Sequence, residues 1–426
     1  MSETSLEEMI RRAEFAERTG DRSMATQCWD ALIAAAPQHP RALFIEGKRL
    51  VERGEAGAAL DVLVRAEALD PVYPEIPLYA ALAHRMQGAL TDSVNALDRA
   101  LANDPYFFVA LLSKGAILEQ LGKPRLAVQV YKNAIKIAPP PERLPASLRT
   151  PLDRAHALVT ASARALAKHL RSQTAALRAQ SKGVALDRFE ESMAILAGVQ
   201  PRYVHDPALL YYPRLPAIPF FERSHFPWLG ELEANAAIIT LELNQVLRED
   251  LVKFTPYIQY PPGAPVNQWA QLNHSLAWST FFLWRDGVRQ DENCARCPKT
   301  TAILATLPLA HQPGYAPTAM FSMLNPRTHI PAHTGSANTR LIVHLPLVLP
   351  NNCRFRVGAE TRAWRDGEAW IFDDTIEHEA WNDSDETRVI LIFDIWNPSL
   401  SEAECMLITK MMAAYSAYYA EDSSDL

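Results

Sequence analysis

The chain is 426 residues long, enough for two or three domains of the usual size, and 48% of its residues are hydrophobic. Its formal net charge of −7 is spread along the sequence without a long basic run, which argues against a nucleic-acid-binding protein. The start of the sequence lacks the apolar core of a secretion signal, no run of about 18 apolar residues occurs, and the cysteines are few and scattered. We therefore expect a cytoplasmic protein without a membrane span.

A fixed period of 34 residues marks the first part of the chain. Glycines and prolines recur at this spacing, at Gly20, Gly54, Gly88, Gly122, Pro37, Pro71, Pro105 and Pro139. Small residues recur between them, each followed four positions later by a bulky one, as in the pairs Ala25 and Trp29, Ala59 and Leu63, Ser93 and Leu97, and Ala127 and Tyr131. This is the period of tetratricopeptide repeats, in which glycine ends the first helix of a pair and proline stops the second. The pattern predicts an α-solenoid of four such repeats over residues 1–140.

Residues 141–185 are predicted to cap the solenoid and link it to the rest, because stacked repeats need a terminal cap. The proline-rich sequence 139–145 breaks the last repeat, and residues 152–180 follow a helical period. Helical repeats mostly serve interactions, so the solenoid is either a passive scaffold or a groove that binds a peptide or protein. The sequence does not decide between these two.

A second domain is predicted over residues 186–426. Proline and aromatic residues are frequent in 186–225, which predicts an extended arm rather than a helix. Residues 228–254 show one helical period, and strand-like alternation follows residue 257. Three later runs, 341–349, 369–372 and 389–395, are predicted strands of a sandwich or a double-sheet jelly roll, because they are short, β-branched or aromatic, and bounded by turn residues.

Two histidines and one arginine lie next to these predicted strands in the sequence. His333 precedes the first strand in the sequence H-T-G, His378 lies between the second and third, and Arg388 follows ten residues after His378. Neutral imidazole is a common metal ligand, and a planar guanidinium can hold a carboxylate through two hydrogen bonds. A single histidine in such a block is usually structural, so the interpretation depends on the set.

This order of residues resembles the iron- and 2-oxoglutarate-dependent dioxygenases. The sequences THIPAHTG, RLIVHL, IFDDTIEHEAW and RVILIFDIWNP more specifically resemble the aspartyl/asparaginyl β-hydroxylase family, over about residues 190–400. The resemblance implies a double-stranded β-helix, or jelly-roll, oxygenase domain over 186–426. Together with the repeats it gives an α + β multidomain protein. It also implies Fe(II), the cosubstrate 2-oxoglutarate and O2.

The resemblance assigns roles to individual side chains. His333 and His378 correspond to the metal ligands, and Arg388 completes the implied catalytic set. The residues that correspond to contacts of 2-oxoglutarate, or of the pocket beside it, are Ser322, Arg340, His344 and Arg388.

Gly335 stands two positions after His333, where most such dioxygenases carry a carboxylate ligand. The peptidyl-aspartyl branch of the resembled family shares the H-T-G sequence and completes the iron sphere with water. We expect a glycine here to leave room, so that Gly335→Asp is sterically tolerated. Asp373 and Asp374 are predicted to close a strand with a turn rather than to bind the metal.

The implied function is hydroxylation of the β-carbon of aspartate or asparagine in a peptide or protein, with the solenoid helping to bind it. The peptidyl branch carries a second arginine where Ile342 stands here, so a free amino acid or a lipid acyl chain stays open as the substrate. Two other classes stay open as well. One is a protein-binding module with an inactive oxygenase domain, and the other is a cupin-type protein with another cation, which would have no need for Arg388.

Overall fold

The computed structural model describes residues 3–423. The chain forms two compact units, Met1–Gln200 and Pro201–Leu426. This division lies after the one predicted at residue 185, because a helix over Asp187–Ala197 packs against the long helix before it. The described part of the first unit is helical, and the second combines two antiparallel sheets with helices, which confirms the predicted fold class.

The first unit is a series of paired helices, each packed against the next. Its helices are α1 Glu3–Thr19, α2 Arg22–Ala35, α3 Pro40–Glu52, α4 Ala56–Leu69, α5 Glu75–Met86, α6 Leu90–Asn103, α7 Phe108–Gln120, α8 Pro124–Lys136, α9 Ala146–Gln180 and α10 Asp187–Ala197. The repeat glycines all take positive φ angles, from 68° at Gly122 to 86° at Gly54. Glycine adopts this left-handed conformation without a Cβ penalty, so the predicted turn after the first helix of each pair is confirmed.

The two helices of a repeat approach closely because a small residue on the first meets a bulky residue on the second. A Cβ built on Gly47 would lie 2.6 Å from Leu63, and one built on Gly115 would lie 2.2 Å from the Tyr131 ring. Leu63 and Tyr131 are buried. The predicted bulky positions therefore fill the gap, but the residues that make room for them at these two places are glycines of the preceding helix.

The second unit carries all the strands that the structure describes. Its helices are α11 Leu229–Ala234, α12 Ala236–Glu249, α13 Asp291–Arg296, α14 Pro298–Ala305 and α15 Glu402–Ser423. Its strands are β1 Thr255–Pro256, β2 Trp278–Arg285, β3 Val288–Arg289, β4 Ala319–Leu324, β5 Thr328–His333, β6 Arg340–Val348, β7 Cys353–Val357, β8 Glu360–Ala363, β9 Trp370–Phe372, β10 His378–Asn382 and β11 Arg388–Trp396. The three predicted strands are confirmed as β6, β9 and β11.

The strands form two sheets. The larger has the order β1-β2-β4-β11-β6-β9 with β3 beside β2, and the smaller has the order β5-β10-β7-β8. Side chains of a strand point alternately to its two faces. On β11, Val389, Leu391, Phe393 and Ile395 enter the core under α11, α12 and α14, while Ile390 and Ile392 enter the core shared with the smaller sheet. The space between the two sheets is therefore set by alternate residues of the central strands.

The stretch before the sheets differs in part from the sequence prediction. Residues 187–197 form α10, because the prolines of this stretch begin only at Pro201 and leave the preceding sequence free to be helical. The rest, residues 201–222, is the predicted extended arm and lies along the β-domain. The single helix predicted over 228–254 is interrupted at Asn235. Among residues 3–423, no helix is both long and apolar enough to cross a membrane.

The helix contacts of the second and fourth repeats predict opposite effects of two glycine-to-alanine changes. Gly115→Ala should lower the free energy of unfolding by about 1–3 kcal/mol, because the new methyl group overlaps the Tyr131 ring. Gly57→Ala, at an exposed position of α4 where the added carbon would have its nearest neighbour at 3.7 Å, should raise the free energy of unfolding by about 0.5–1 kcal/mol. Thermal and urea unfolding followed by far-ultraviolet circular dichroism measure both. Equal stabilities of the two variants would contradict the packing.

Candidate active site

A cavity of about 410 Å³ lies between the two sheets of the β-domain. Both sheets and the extended arm supply its walls. Its polar and charged lining residues are Ser322, His333, Thr334, Ser336, Arg340, His344, Asp286, Asp374, His378, Arg388, Asp394, Thr318, Tyr257 and Tyr315. All six residues that the sequence assigned to the metal or the cosubstrate line this one cavity.

His333 and His378 are cross-strand neighbours, at the end of β5 and the start of β10. Their ring centroids are 4.1 Å apart. His333 Nδ1 lies 2.7 Å from the carbonyl oxygen of Pro331, and His378 Nδ1 lies 3.1 Å from that of Ile376. Because a carbonyl oxygen only accepts, each Nδ1 carries the proton and donates it, which leaves the lone pair of each Nε2 for another partner.

The electrostatic surroundings favour neutral imidazoles. Burial lowers the pKa of His333, and burial together with the neighbouring His333 lowers the pKa of His378 well below its usual value. A neutral imidazole whose other nitrogen is fixed by a carbonyl group is the usual form of a metal-bound histidine. The donor set therefore fits a metal ion that is held by two Nε2 atoms.

Aromatic side chains surround this pair. Trp269 meets His333 edge-on with ring centroids 4.9 Å apart, and Trp278 lies 6.4 Å from the same ring. Phe372 and Phe355 pack at 5.4 and 5.8 Å from His378. These rings fix the orientation of the imidazoles and reduce the access of bulk water to the cavity.

Gly335 does not leave free space beside the pair. A Cβ built on Gly335 would lie 1.9 Å from Oδ2 of Asp374 and 2.2 Å from its Cγ. The Gly335 amide also donates to the Asp374 carbonyl oxygen, at 2.7 Å. The expectation that Gly335→Asp is sterically tolerated is therefore wrong, because the carboxyl group of Asp374 already occupies that volume.

Asp373 and Asp374 have different surroundings. Asp373 is fully buried, and its Oδ1 accepts from the amide of Thr375 at 3.0 Å and from its hydroxyl at 2.6 Å, which confirms the predicted turn. Asp374 faces the cavity, and burial raises its pKa to about 8. Within residues 3–423, no three side chains of His, Cys, Asp or Glu are grouped closely enough to form a metal site.

Arg388 occupies one end of the cavity and forms no ion pair with a carboxylate of residues 3–423. Arg388 is 1% exposed, its guanidinium carbon lies 4.9 Å from the centroid of the Trp364 ring, and its Nε has no hydrogen-bond partner in the described part of the chain. Burial lowers the pKa of Arg388 to about 10. An unpaired buried cation is costly, and an anion bound at this end of the cavity would offset that cost.

Two of the other assigned residues lie at the same end. The Ser322 hydroxyl accepts from Trp278 Nε1 at 3.1 Å and keeps its own proton for another acceptor. His344 is buried beside Phe372, with ring centroids 4.8 Å apart, and its Nδ1 has no hydrogen-bond partner among residues 3–423. Burial, followed by the nearby Arg388, lowers the pKa of His344 well below its usual value. This end of the cavity thus offers a cation and polar side chains with unused hydrogen-bonding groups.

Arg340 lies toward the opposite end, where it is already paired. Its guanidinium forms a buried ion pair with Asp394 and donates to the Ser336 hydroxyl and the Tyr315 carbonyl oxygen. Asp394 and Arg388 are six residues apart on the same face of β11, or about 20 Å at the usual rise of a strand. The two arginines therefore serve different ends of one cavity.

Sequence reasoning missed several lining residues. Ala208 and Leu209 of the arm, Trp269 and Asp374 enter the cavity from separate parts of the chain. His329 lies outside the cavity, stacked on Trp381 at 5.0 Å and 3.0 Å from a Glu379 carboxylate oxygen.

Two facing antiparallel sheets around a cavity that is lined by two neighbouring imidazoles define the second unit as a double-stranded β-helix domain. Residues 233–398 match the family model described as Aspartyl/Asparaginyl beta-hydroxylase, and the chain carries a domain of this family.

Individual relatives cover different shares of the chain. It is 35% identical over 198 residues to the ornithine lipid ester-linked acyl 2-hydroxylase of Rhizobium tropici, covering 46% of this chain and 66% of that protein. It is 40% identical over 126 residues to the human aspartyl/asparaginyl beta-hydroxylase, covering 29% of this chain and 16% of that protein. The solved structure of MamA overlaps 46% of this chain and 92% of its own, at 18% identity and a TM-score of 0.28.

The contact between Gly335 and Asp374 predicts a coupled pair of substitutions. Gly335→Ala should lower the melting temperature, because its methyl group must displace the Asp374 carboxyl group or the backbone. Asp374→Gly in the same chain should restore most of that loss, with a coupling energy of about 1–3 kcal/mol. Differential scanning calorimetry of the single and double variants measures it. Gly230→Ala, whose added carbon meets nothing within 4 Å, is the matched control. Additive effects of the two changes would refute the contact.

Proposed function

We propose that this protein is an Fe(II)- and 2-oxoglutarate-dependent dioxygenase that hydroxylates an unactivated C–H bond. One observation carries the proposal: two imidazoles whose Nδ1 atoms donate to carbonyl groups share a cavity with a buried arginine that forms no ion pair with a carboxylate of residues 3–423. The family match and the hydroxylase names of the relatives support the same reaction class.

His333 and His378 would hold Fe(II), and Arg388 would pair with the far carboxylate of 2-oxoglutarate, with Ser322 and His344 beside it. When bound, Fe(II), 2-oxoglutarate and O2 supply the oxidising chemistry. Overall, one oxygen atom enters the substrate C–H bond and the other enters succinate, while the cosubstrate loses CO2. The protein binds and orients these partners, and its aromatic wall limits water near the reacting carbon.

The substrate class that the family name suggests is an aspartate or asparagine residue of a peptide or protein, hydroxylated at its β-carbon. Arg340 is the basic side chain that lines the cavity at the end away from Arg388. A substrate carboxylate bound there would have to share Arg340 with Asp394. In this proposal the helical repeats help to bind the polypeptide, and the protein acts in the cytoplasm.

A second substrate class is favoured by the surroundings of Arg340. Its charge is already matched by Asp394, and Ile342, the next cavity-facing residue of β6, adds no cation. Ile392 and Met320 extend the same wall with apolar surface. This wall suits an aliphatic chain without a nearby carboxylate, and the Rhizobium relative is named as an acyl 2-hydroxylase. We propose an aliphatic acyl group as the second candidate.

The test is succinate formation by the iron-loaded protein with each candidate substrate. His333→Ala or His378→Ala should remove substrate-dependent succinate formation, because each change deletes one of the two metal ligands. His329→Ala is the matched control, since His329 lies on the same strand but outside the cavity. Wild-type turnover in either ligand variant would refute the assignment.

The substrate arms of this assay decide between the two classes. Aspartyl and asparaginyl peptides are compared with acyl esters of matched concentration, and products are analysed by mass spectrometry for a gain of one oxygen atom. Product from a peptide alone supports the family-based class, and product from an acyl ester alone supports the second. Absence of metal-dependent product with every substrate, together with absence of Fe(II) binding, would count against the proposed chemistry.

Replacing the unpaired Arg388 should raise the stability of the ligand-free fold but weaken ligand binding. Arg388→Met should raise the melting temperature of the ligand-free protein, because apolar replacement of a buried charge is neutral or stabilising by about 1–4 kcal/mol. The sign follows from the lowered pKa of Arg388, which shows that the fold disfavours its charged form.

The same variant should lose its response to cosubstrate. In wild type, 2-oxoglutarate with Mn(II) should stabilise the fold by about 2.7 kcal/mol at a concentration one hundred times its Kd. Arg388→Met should show little of this shift, whereas the exposed Arg354→Met should keep it. Thermal melts with and without 2-oxoglutarate measure both effects. An unchanged shift in Arg388→Met would place the cosubstrate elsewhere.

A further inference from the structure

A short part of the extended arm joins the two loops that carry the candidate metal ligands. This arm segment, residues 203–212, lies outside the family-matched residues 233–398. Its Ala208 amide donates to the Gly335 carbonyl oxygen at 2.9 Å, and its Leu210 amide donates to the Ser336 carbonyl oxygen at 2.9 Å. Its Asp206 amide donates to the Thr375 carbonyl oxygen at 2.8 Å. The arm segment thus bonds to the loop after His333 and to the loop before His378.

A buried histidine lies at the centre of these contacts. His205 Nε2 lies 2.8 Å from Oδ2 of Asp373, a close polar contact without hydrogen-bond geometry, and the two side chains are 4% and 0% exposed. On the other side of the ring, Asn338 Nδ2 lies 3.1 Å from His205 Nδ1. The Asn338 amide also bonds to both the backbone amide and the carbonyl group of Tyr212, at 2.7 and 2.9 Å.

The partners of His205 lead directly to the imidazole pair. Asp373 starts the turn that continues to Ile376, whose carbonyl oxygen accepts from His378 Nδ1. The carbonyl oxygen of the next residue, Asp374, accepts a hydrogen bond from the backbone amide of Gly335, which lies two positions after His333. A displacement of Asp373 would therefore move the carbonyl group that orients His378 and the backbone contact that joins the two loops.

We propose that His205 is a positioning residue, which fixes the arm segment and the Asp373 turn so that both Nε2 atoms face one point in the cavity. The proposal rests on the proposed function, since it takes the imidazole pair to be a metal site. Its physical basis is that side chains behind the ligands hold the orientation on which metal affinity depends. His205 itself touches neither metal nor substrate.

The first test compares Co(II) affinity, measured by the visible absorption of the bound ion, in full-length variants. His205→Ala should weaken Co(II) binding by about 10- to 100-fold, as is typical for groups behind a metal ligand. His205→Phe keeps the ring volume without polar atoms and should show a loss of the same order. His205→Gln, which keeps a donor and an acceptor, should retain most of the affinity. His225→Ala, at an exposed histidine further along the chain, is the matched control.

The second test is hydrogen exchange of the metal-free protein, which does not depend on the proposed function. In His205→Ala and His205→Phe, the amides of Ala208, Leu210 and Gly335 should exchange faster than in wild type, because the arm segment opens more often. Amides of the helical repeats should be unchanged. If His205→Ala does not fold, the comparison of His205→Phe with His205→Gln decides both measurements.

The outcomes are distinguishable. Wild-type Co(II) affinity in both the alanine and phenylalanine variants would overturn the positioning role, as would an equal loss in His225→Ala. Faster exchange of the arm with unchanged affinity would also overturn it, because His205 would then only stabilise the fold. If wild type binds no Co(II), the proposed function fails, and exchange rates alone then decide whether His205 fixes the arm segment.

Discussion

The alternation of side chains along β6 and β11 is the constraint on which the rest of the β-domain depends. One face of these strands is an unbroken apolar surface under the helices, formed on β6 by Leu341, Val343, Leu345 and Leu347. The other face carries Arg340, Ile342 and His344 into the cavity. A shift of either strand by one residue would exchange these faces, which would bury charges under helices. The large apolar core therefore fixes the register that places the polar site.

The two arginines of the cavity differ in whether the fold supplies a carboxylate that compensates their charge. Arg340 has its compensating charge within the fold, in Asp394, and its pKa is raised above the usual value even though burial alone would lower it. Arg388 has no such partner, and its pKa is lowered. Both arginines line the cavity from central strands of the larger sheet. The presence or absence of a neighbouring carboxylate, rather than the degree of burial, therefore decides which guanidinium group is left to bind a ligand.

Features that depend on residues close together in the sequence could be predicted, whereas contacts between distant parts of the chain could not. The repeat period and the alternation of β11 depend on neighbours within about one turn or a few residues, so glycines such as Gly54 and the strand bounds followed from the sequence. The contact of Asp374 with Gly335, the pairing of Arg340 with Asp394 and the arm segment over the histidine loops depend on tertiary packing. Nothing in the local pattern around His205 distinguished it from a surface histidine.

The hydrogen bonds of the arm have a consequence for where this domain can be divided. The family-matched segment begins at residue 233, yet carbonyl groups of Gly335, Ser336 and Thr375 inside it accept from amides before that point. A segment cut at the family boundary would leave these three acceptors without their protein donors at the rim of the cavity. The family-matched segment therefore omits backbone donors that the structure pairs with it, and exchange of this segment between proteins would have to carry the arm with it.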